Sequence, residues 1–326
     1  MPDLTTNNRN SRTYDPLLLN TERREVFDRV LRHYDSGIPS PLQIHVDGVA
    51  GTGKSCLIDL LSRHLNYHAY LEGRTSPVVL RGAPTGVAAY NINGSTLHRL
   101  LSLPVNNKFE DLVPERLQRY QSAFRDIWLL IIDEKSMIGL RALHRIDVRL
   151  RQIRHYPDLP FGGLHILFCG DFGQLSPVLG KPLHHSLQQG GTEHEVHLGK
   201  RSYYAFDQTI VLKTMMHQQG DTPDARRFRD LLGSLRDGPI SVQQREVLIA
   251  RTRDRLTDAE WGLLIVHYAS SIPTIRSASI IYVVSAVSVS LFSVSSLRML
   301  VAGLEMGPLT ILIISRMSFC LAKAPR

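Results

Sequence analysis

Residues 17–35 carry Leu19, Val26, Phe27, Val30 and Leu31 at helical spacing, which predicts an amphipathic helix. Pro39 and Pro41 break the pattern. Leu42, Ile44 and Val46 then alternate with polar residues, the period of a strand. A glycine-rich loop, Gly48 to Gly53, follows, and beyond it Cys56, Leu57, Leu60, Leu61 and Leu65 share one helical face. Three more apolar runs read as buried strands: "PVVLRG" ending at Gly82, "DIWLLIIDE" with its run Ile127–Ile132, and "LHILFCGD" ending at Asp171. Apolar strands separated by helical stretches predict an α/β fold, a parallel sheet covered by helices on both faces. In such sheets ligands gather at the carboxyl ends of the strands. Here those ends are polar: Asp47-Gly48, Thr85-Gly86, Asp133-Glu134 and Asp171.

The pattern changes near His267. Between Arg276 and Arg298 no charged residue occurs, and Ser, Val and Ile dominate. The run reaches the ~18–20 residues of a membrane span. Its many serines, its lack of an aromatic belt and the strand-like alternation of "VSAVSVSLFSV" argue against one. No membrane partner is expected, and 266–326 is expected to be an atypical, poorly folding tail. The start, "MPDLTTNNRNSRTYD", is polar without an apolar core, so 1–16 is expected to be a disordered leader and no secretory signal. With 326 residues, of which 43% are hydrophobic, the chain can build more than one core. A net charge of +8 favours a polyanionic partner only weakly. Cys56, Cys169 and Cys320 have no metal-ligand spacing, and their odd number suits a reducing compartment.

The chemistry concentrates in three places. Gly48, then Gly53-Lys54-Ser55, match the spacing G-x-x-x-x-G-K-[ST]. Gly48, Gly51, Thr52 and Gly53 would let backbone amides surround phosphate oxygens. Lys54 would reach the β- and γ-phosphates of ATP, and Ser55 would hold Mg²⁺. The helix starting there adds its positive dipole end. Asp133-Glu134 close an apolar strand; Asp133 would bind the metal and Glu134 would polarise a water for attack on the γ-phosphate. Alone the pair reads equally as a helix cap or a solvated turn. Gln174, in "FCGDFGQLSPV", would touch the γ-phosphate as a neutral donor, or else bond a loop backbone. "HH" at 184–185 and "EHEVH" at 193–197 lack zinc-site spacing and read as an exposed loop. Arg226, Arg227 and Arg229 read as a solvated helix face.

Taken in order, "GVAGTGKS", "LRGAPTGVAAYNINGSTLH", "IIDEKSMIG", "LFCGDFGQLSPV" and "DARRFRDLLGSLRDG" resemble the Pif (petite integration frequency) DNA helicases, superfamily-one enzymes related to RecD. The resemblance covers roughly 17–265. It implies a RecA-like P-loop NTPase lobe over 17–210, the start of a second RecA-like lobe over 211–265, and ATP-driven 5′-to-3′ movement on single-stranded DNA. It matches Lys54, Ser55, Asp133, Glu134 and Gln174 to the nucleotide site. It also matches "APTG" and "GSTLH" to segments lining the DNA path, with Thr85, Gly86, Thr96 and His98 as candidate contacts. Ordinary helix-cap work is the other reading of those residues. The family further implies partners in single-stranded DNA or DNA junctions, a monomer, a place in the nucleus or mitochondrion, and roles in repair, recombination and telomere maintenance.

Four positions depart from the family. Arg23 stands where a glutamine is usual, which calls adenine recognition there into question. Lys135 replaces a small or aliphatic residue, Ser176 a proline, and His217 an arginine expected to approach the γ-phosphate. A neutral histidine cannot supply that arginine's fixed charge and fork. The family's later motifs are not found, although "IISRMSF" at 313–319 faintly resembles one, so the second lobe is expected to be incomplete. Two alternatives therefore stand beside an active helicase: a catalytically disabled remnant that still binds nucleotide or DNA, and a P-loop ATPase unrelated to DNA.

Overall fold

The first helix, α1 (Thr21–Ser36), begins where Asn20 caps it. The Asn20 carboxamide oxygen accepts from the Arg23 amide at 3.1 Å, and Gly37, in the left-handed region, ends the helix. The helix thus starts later than the apolar pattern from residue 17 implies, because Asn20 offers the first cap. This computed structural model describes residues 16, 19–104, 108–178, 180–186, 194–216, 222–238 and 240–249.

Six strands form one parallel sheet: β1 (Gln43–Gly48), β2 (Val79–Ala83), β3 (Ser95–Thr96), β4 (Leu129–Ile132), β5 (His165–Gly170) and β6 (Gln208–Leu212). Their order is β3-β2-β4-β5-β1-β6. The connecting helices are α2 (Lys54–Leu71), α3 (Gly86–Asn91), α4 (Leu97–Leu100), α5 (Pro114–Phe124), α6 (Leu140–Arg154) and α7 (His194–Tyr204). Strand residues split by parity into two cores. Leu129 and Ile131 join Val26 and Val30 of α1 and Leu57 and Leu61 of α2. Leu130 and Ile132 join Leu143, Ile146 and Leu150 of α6. Covering both faces removes water from every side chain of β4, which is why its sequence is continuously apolar.

The same architecture explains a difference in β1. Its sequence alternates apolar with polar residues, yet the polar Gln43 and His45 are buried too, as a sheet covered on both faces requires. His45 packs against Phe168, Phe206 and Tyr203, with ring centroids 4.7 to 5.6 Å away. Burial, with Lys135 nearby, pushes its pKa down to about 3. The histidines of "EHEVH" from 194 onward lie on α7, not in a loop. β6 crosses residue 210, and the first compact unit runs to Gln219.

The second unit, Gly220–Arg326, contains α8 (Pro223–Asp237) and α9 (Val242–Ile249) among its described residues. A reciprocal capping pair opens α9. Ser241 Oγ accepts from the Gln244 amide at 3.2 Å, and Gln244 Oε1 accepts from the Ser241 amide at 2.9 Å. Arg226 and Arg227 are exposed and Arg229 is half-buried on α8. His217, the leader 1–15 and the tail 266–326, including 313–319, lie outside the described residues. Among the described residues no helix is long and apolar enough to cross a membrane.

Candidate nucleotide-binding site

The loop leaving β1 closes on itself before α2 starts. A Cβ on Gly48 would stand 2.6 Å from Thr52 Oγ1 and 3.0 Å from Leu212 Cβ, so only glycine fits. Thr52 is buried, and its hydroxyl donates to the Val49 carbonyl at 2.9 Å. The Gly51 carbonyl accepts from the Met216 amide at 2.8 Å, tying the loop to the segment after β6. Gly53 is the N-cap of α2 with φ at +84°, a conformation that disfavours other residues. Lys54 Nζ donates to the carbonyls of Gly48 and Val49 at 2.6 and 3.2 Å, so its ammonium lies over the loop. Ser55 is exposed on the first turn of α2.

β5 lies between β1 and β4, with Val46 in register with Cys169 and Ile132 with Phe168. The glycine loop, Asp133-Glu134 and the turn holding Gln174 therefore leave the same edge of three neighbouring strands. Asp133 donates its amide to the Gly82 carbonyl at 2.9 Å. Its side chain is buried, and Oδ1 has no hydrogen-bond partner among the described residues. Burial raises its pKa, against the pull of the Glu134 amide and the Lys54 ammonium. Lys54 thus acts on Asp133 across the sheet edge. Glu134 adopts φ 57° and ψ 45°, the left-handed region that a non-glycine residue enters at a cost. Gln174 is half-buried in a turn where Asp171 accepts from the Gly173 and Gln174 amides at 2.9 and 3.0 Å.

A buried carboxylate oxygen without a partner and an exposed hydroxyl at the start of α2 are hard oxygen donors. That set suits Mg²⁺ bound together with phosphate oxygens. The protein residues present fit the metal.

Thr85, Gly86, Thr96 and His98 lie at the same carboxyl edge but toward β3, away from the glycine loop. Thr85 Oγ1 accepts from the Ala88 amide at 3.2 Å and Thr96 Oγ1 from the Arg99 amide at 3.3 Å. Both threonines therefore cap helices, while Gly86 and His98 are exposed.

Three contacts near the site had no sequence motif of their own. Lys135 is fully buried and pairs with the Asp47 carboxylate. Its ammonium also lies 4.9 Å from the Phe172 ring centre. Burial lowers its pKa, and Asp47 opposes that shift. Glu22 accepts from the Lys213 and Thr214 amides at 2.7 and 3.0 Å. Burial alone would raise its carboxyl, but the Thr214 and Lys213 bonds carry it below the ordinary range. Arg23 packs beside Gly53. Only Arg23 and Lys135 left a trace in the sequence, as departures from an expected residue type.

The fold and site define a RecA-like P-loop lobe. The family model for PIF1-like helicases matches residues 18–246, more than half of the chain. The chain belongs to that family. It is 32% identical over 238 residues to the ATP-dependent DNA helicase PIF1 of Candida albicans, covering 69% of this chain and 23% of that protein. It is 30% identical over 242 residues to the ATP-dependent DNA helicase RRM3 of Saccharomyces cerevisiae, covering 73% and 30%. The crystal structure of the Pif1 helicase from Candida albicans superposes with a TM-score of 0.52 at 29% identity, over 70% of this chain and 46% of that one. The chain thus spans about a quarter of the length of these curated relatives.

Proposed function

We infer that this chain carries the ATP-binding lobe of an ATP-dependent DNA helicase. In this reading Gly48, Gly51, Thr52 and Gly53 shape the phosphate cradle, and Lys54 turns from the loop carbonyls to the β- and γ-phosphates. Ser55 and Asp133 would hold Mg²⁺, which when bound would neutralise phosphate charge. Glu134 orients and deprotonates the attacking water, and Gln174 contacts the γ-phosphate. The observation that carries the reading is the buried Oδ1 of Asp133, without a hydrogen-bond partner among the described residues and within electrostatic reach of Lys54.

Single-stranded DNA would run past Thr85, Gly86, Thr96 and His98. A hydroxyl that caps a helix can still donate its proton to a phosphate, which supports sequence-blind contact. Movement would be 5′ to 3′, by a monomer, on DNA of the nucleus or mitochondrion, in repair, recombination and telomere maintenance. Residues 211–265 would begin the second lobe. His217, standing for an arginine, favours a second reading, in which the chain binds Mg-ATP and DNA but turns over poorly.

ATPase measured with and without single-stranded DNA separates these readings. Strong stimulation supports the helicase. Binding without turnover supports the disabled lobe. Turnover indifferent to DNA contradicts both.

A further inference from the structure

Arg23 is 4% exposed, and a Cβ on Gly53 would lie 2.9 Å from its Nη1. Its Nε donates to Asn20 Oδ1 at 2.9 Å, and its side chain also hydrogen-bonds the Cys56 thiol in the first turn of α2, so both of these partners are neutral. Among the described residues no carboxylate lies within ion-pairing distance of it. The nearby acids are engaged elsewhere. Asp59 of α2 pairs with Arg63 at 2.9 Å and Arg81 at 3.4 Å. Glu22, next in sequence, accepts from the Lys213 and Thr214 amides. A guanidinium withdrawn from water without a counter-charge is costly, and the cost falls when an anion arrives. This one is held against the backbone of the phosphate cradle, where the dipole of α2 already favours an anion.

We propose that Arg23 is a phosphate-binding residue of this site, working with Lys54 from the other end of the first turn of α2. Lys54 serves the end beside Asp133, where the terminal phosphates go. Arg23, beside Gly53 and Cys56, serves the phosphate nearest the nucleoside. Its guanidinium offers donors only, in a planar fork that matches phosphate oxygens. The contact therefore adds affinity for the polyphosphate whatever the base. This rests on the reading of Gly48–Ser55 as a phosphate cradle.

The test is calorimetric titration of the full chain with magnesium tripolyphosphate, ATP and GTP, for the parent protein, R23M, R23K and K54A; methionine removes the charge without restoring the family's glutamine. R23M should weaken all three ligands alike, by roughly ten- to a hundredfold, the worth of a charge-assisted contact. R23K should fall between. The ligand-free melting temperature of R23M should hold or rise, because an uncompensated buried charge is gone. Unchanged tripolyphosphate affinity in R23M overturns the proposal. So does a change confined to the ratio of ATP to GTP, which would assign the guanidinium to the base. A lower ligand-free melting temperature or failure of R23M to fold also counts against it, since that marks a structural role. If K54A loses binding while R23M does not, the cradle stands and this inference alone fails. If neither variant changes binding, the cradle reading itself fails.

Discussion

Lys135 shows how one side chain can shape a site without a motif. Its ammonium is sealed from water while the Asp47 side chain it pairs with keeps 32% of its exposure. The two halves of the pair are therefore unequal. Asp47→Asn should strand a buried cation and cost about 3 kcal/mol, whereas Lys135→Met leaves a carboxylate that water can reach and should cost about 1 kcal/mol. Urea unfolding of both variants checks this; equal losses would contradict it. For the chemistry, Lys54→Ala should abolish nucleotide binding and turnover. Glu134→Gln should keep binding and lower turnover by about 10²–10⁴. A Glu134→Gln variant with parental turnover would remove that residue from its role. At this scale the place of the glycine loop and of Asp133-Glu134 at the sheet edge was legible, because glycines after one apolar strand and a carboxylate pair closing another mark strand ends. The Asp133 oxygen that lacks a partner among the described residues and the burial of Arg23 were not. Both depend on what the sheet and α1 place beside the loop, which local sequence does not encode.

Among the elements, four strand segments and two helices could be read from hydrophobic period. β3, at two residues, is too short to show a period, and β6 buries only Ile210 and Leu212, too few positions to stand out by period. β1 was legible as a strand but not as one buried on both faces, since Gln43 and His45 look solvent-facing in sequence. That burial has a consequence in pH. His165 on β5 accepts from the Leu42 amide through Nδ1 at 2.9 Å and stacks on Trp128 at 4.2 Å. Burial, with His33 and Arg154 nearby, lowers its pKa to about 4, as burial lowers that of His45 to about 3. Unfolding returns both rings to an ordinary value near 6.5. The unfolded chain then binds protons that the folded one refuses, so stability falls as pH drops below 6.5 and goes on falling toward 4 and 3. Each ring should remove about 1–2 kcal/mol by pH 5. Urea midpoints at pH 7 and pH 5 measure it, and an unchanged midpoint would mean that the rings are hydrated or already charged.

For the whole molecule, the chain forms two compact units, and its match covers 23% of the first relative's length. Helicase action couples nucleotide turnover to movement between lobes, so the charge expected at position 217 matters beyond its own residue. His217→Arg should raise turnover in the presence of single-stranded DNA at least roughly tenfold, in the direction of the 10³–10⁵ that an arginine finger supplies. No gain would mean that this position does not face the nucleotide. In the proposed reading turnover would depend on both lobes, whereas binding would need only the sheet edge that the glycine loop, Lys54 and Asp133 share. The most direct measurement is therefore equilibrium binding of a fluorescent ATP analogue, with and without Mg²⁺, to the parent chain, Lys54→Ala and Asp133→Ala. Saturable binding that strengthens with Mg²⁺, loses that dependence in Asp133→Ala and disappears in Lys54→Ala is the expected result. Binding indifferent to magnesium and to both substitutions would contradict it.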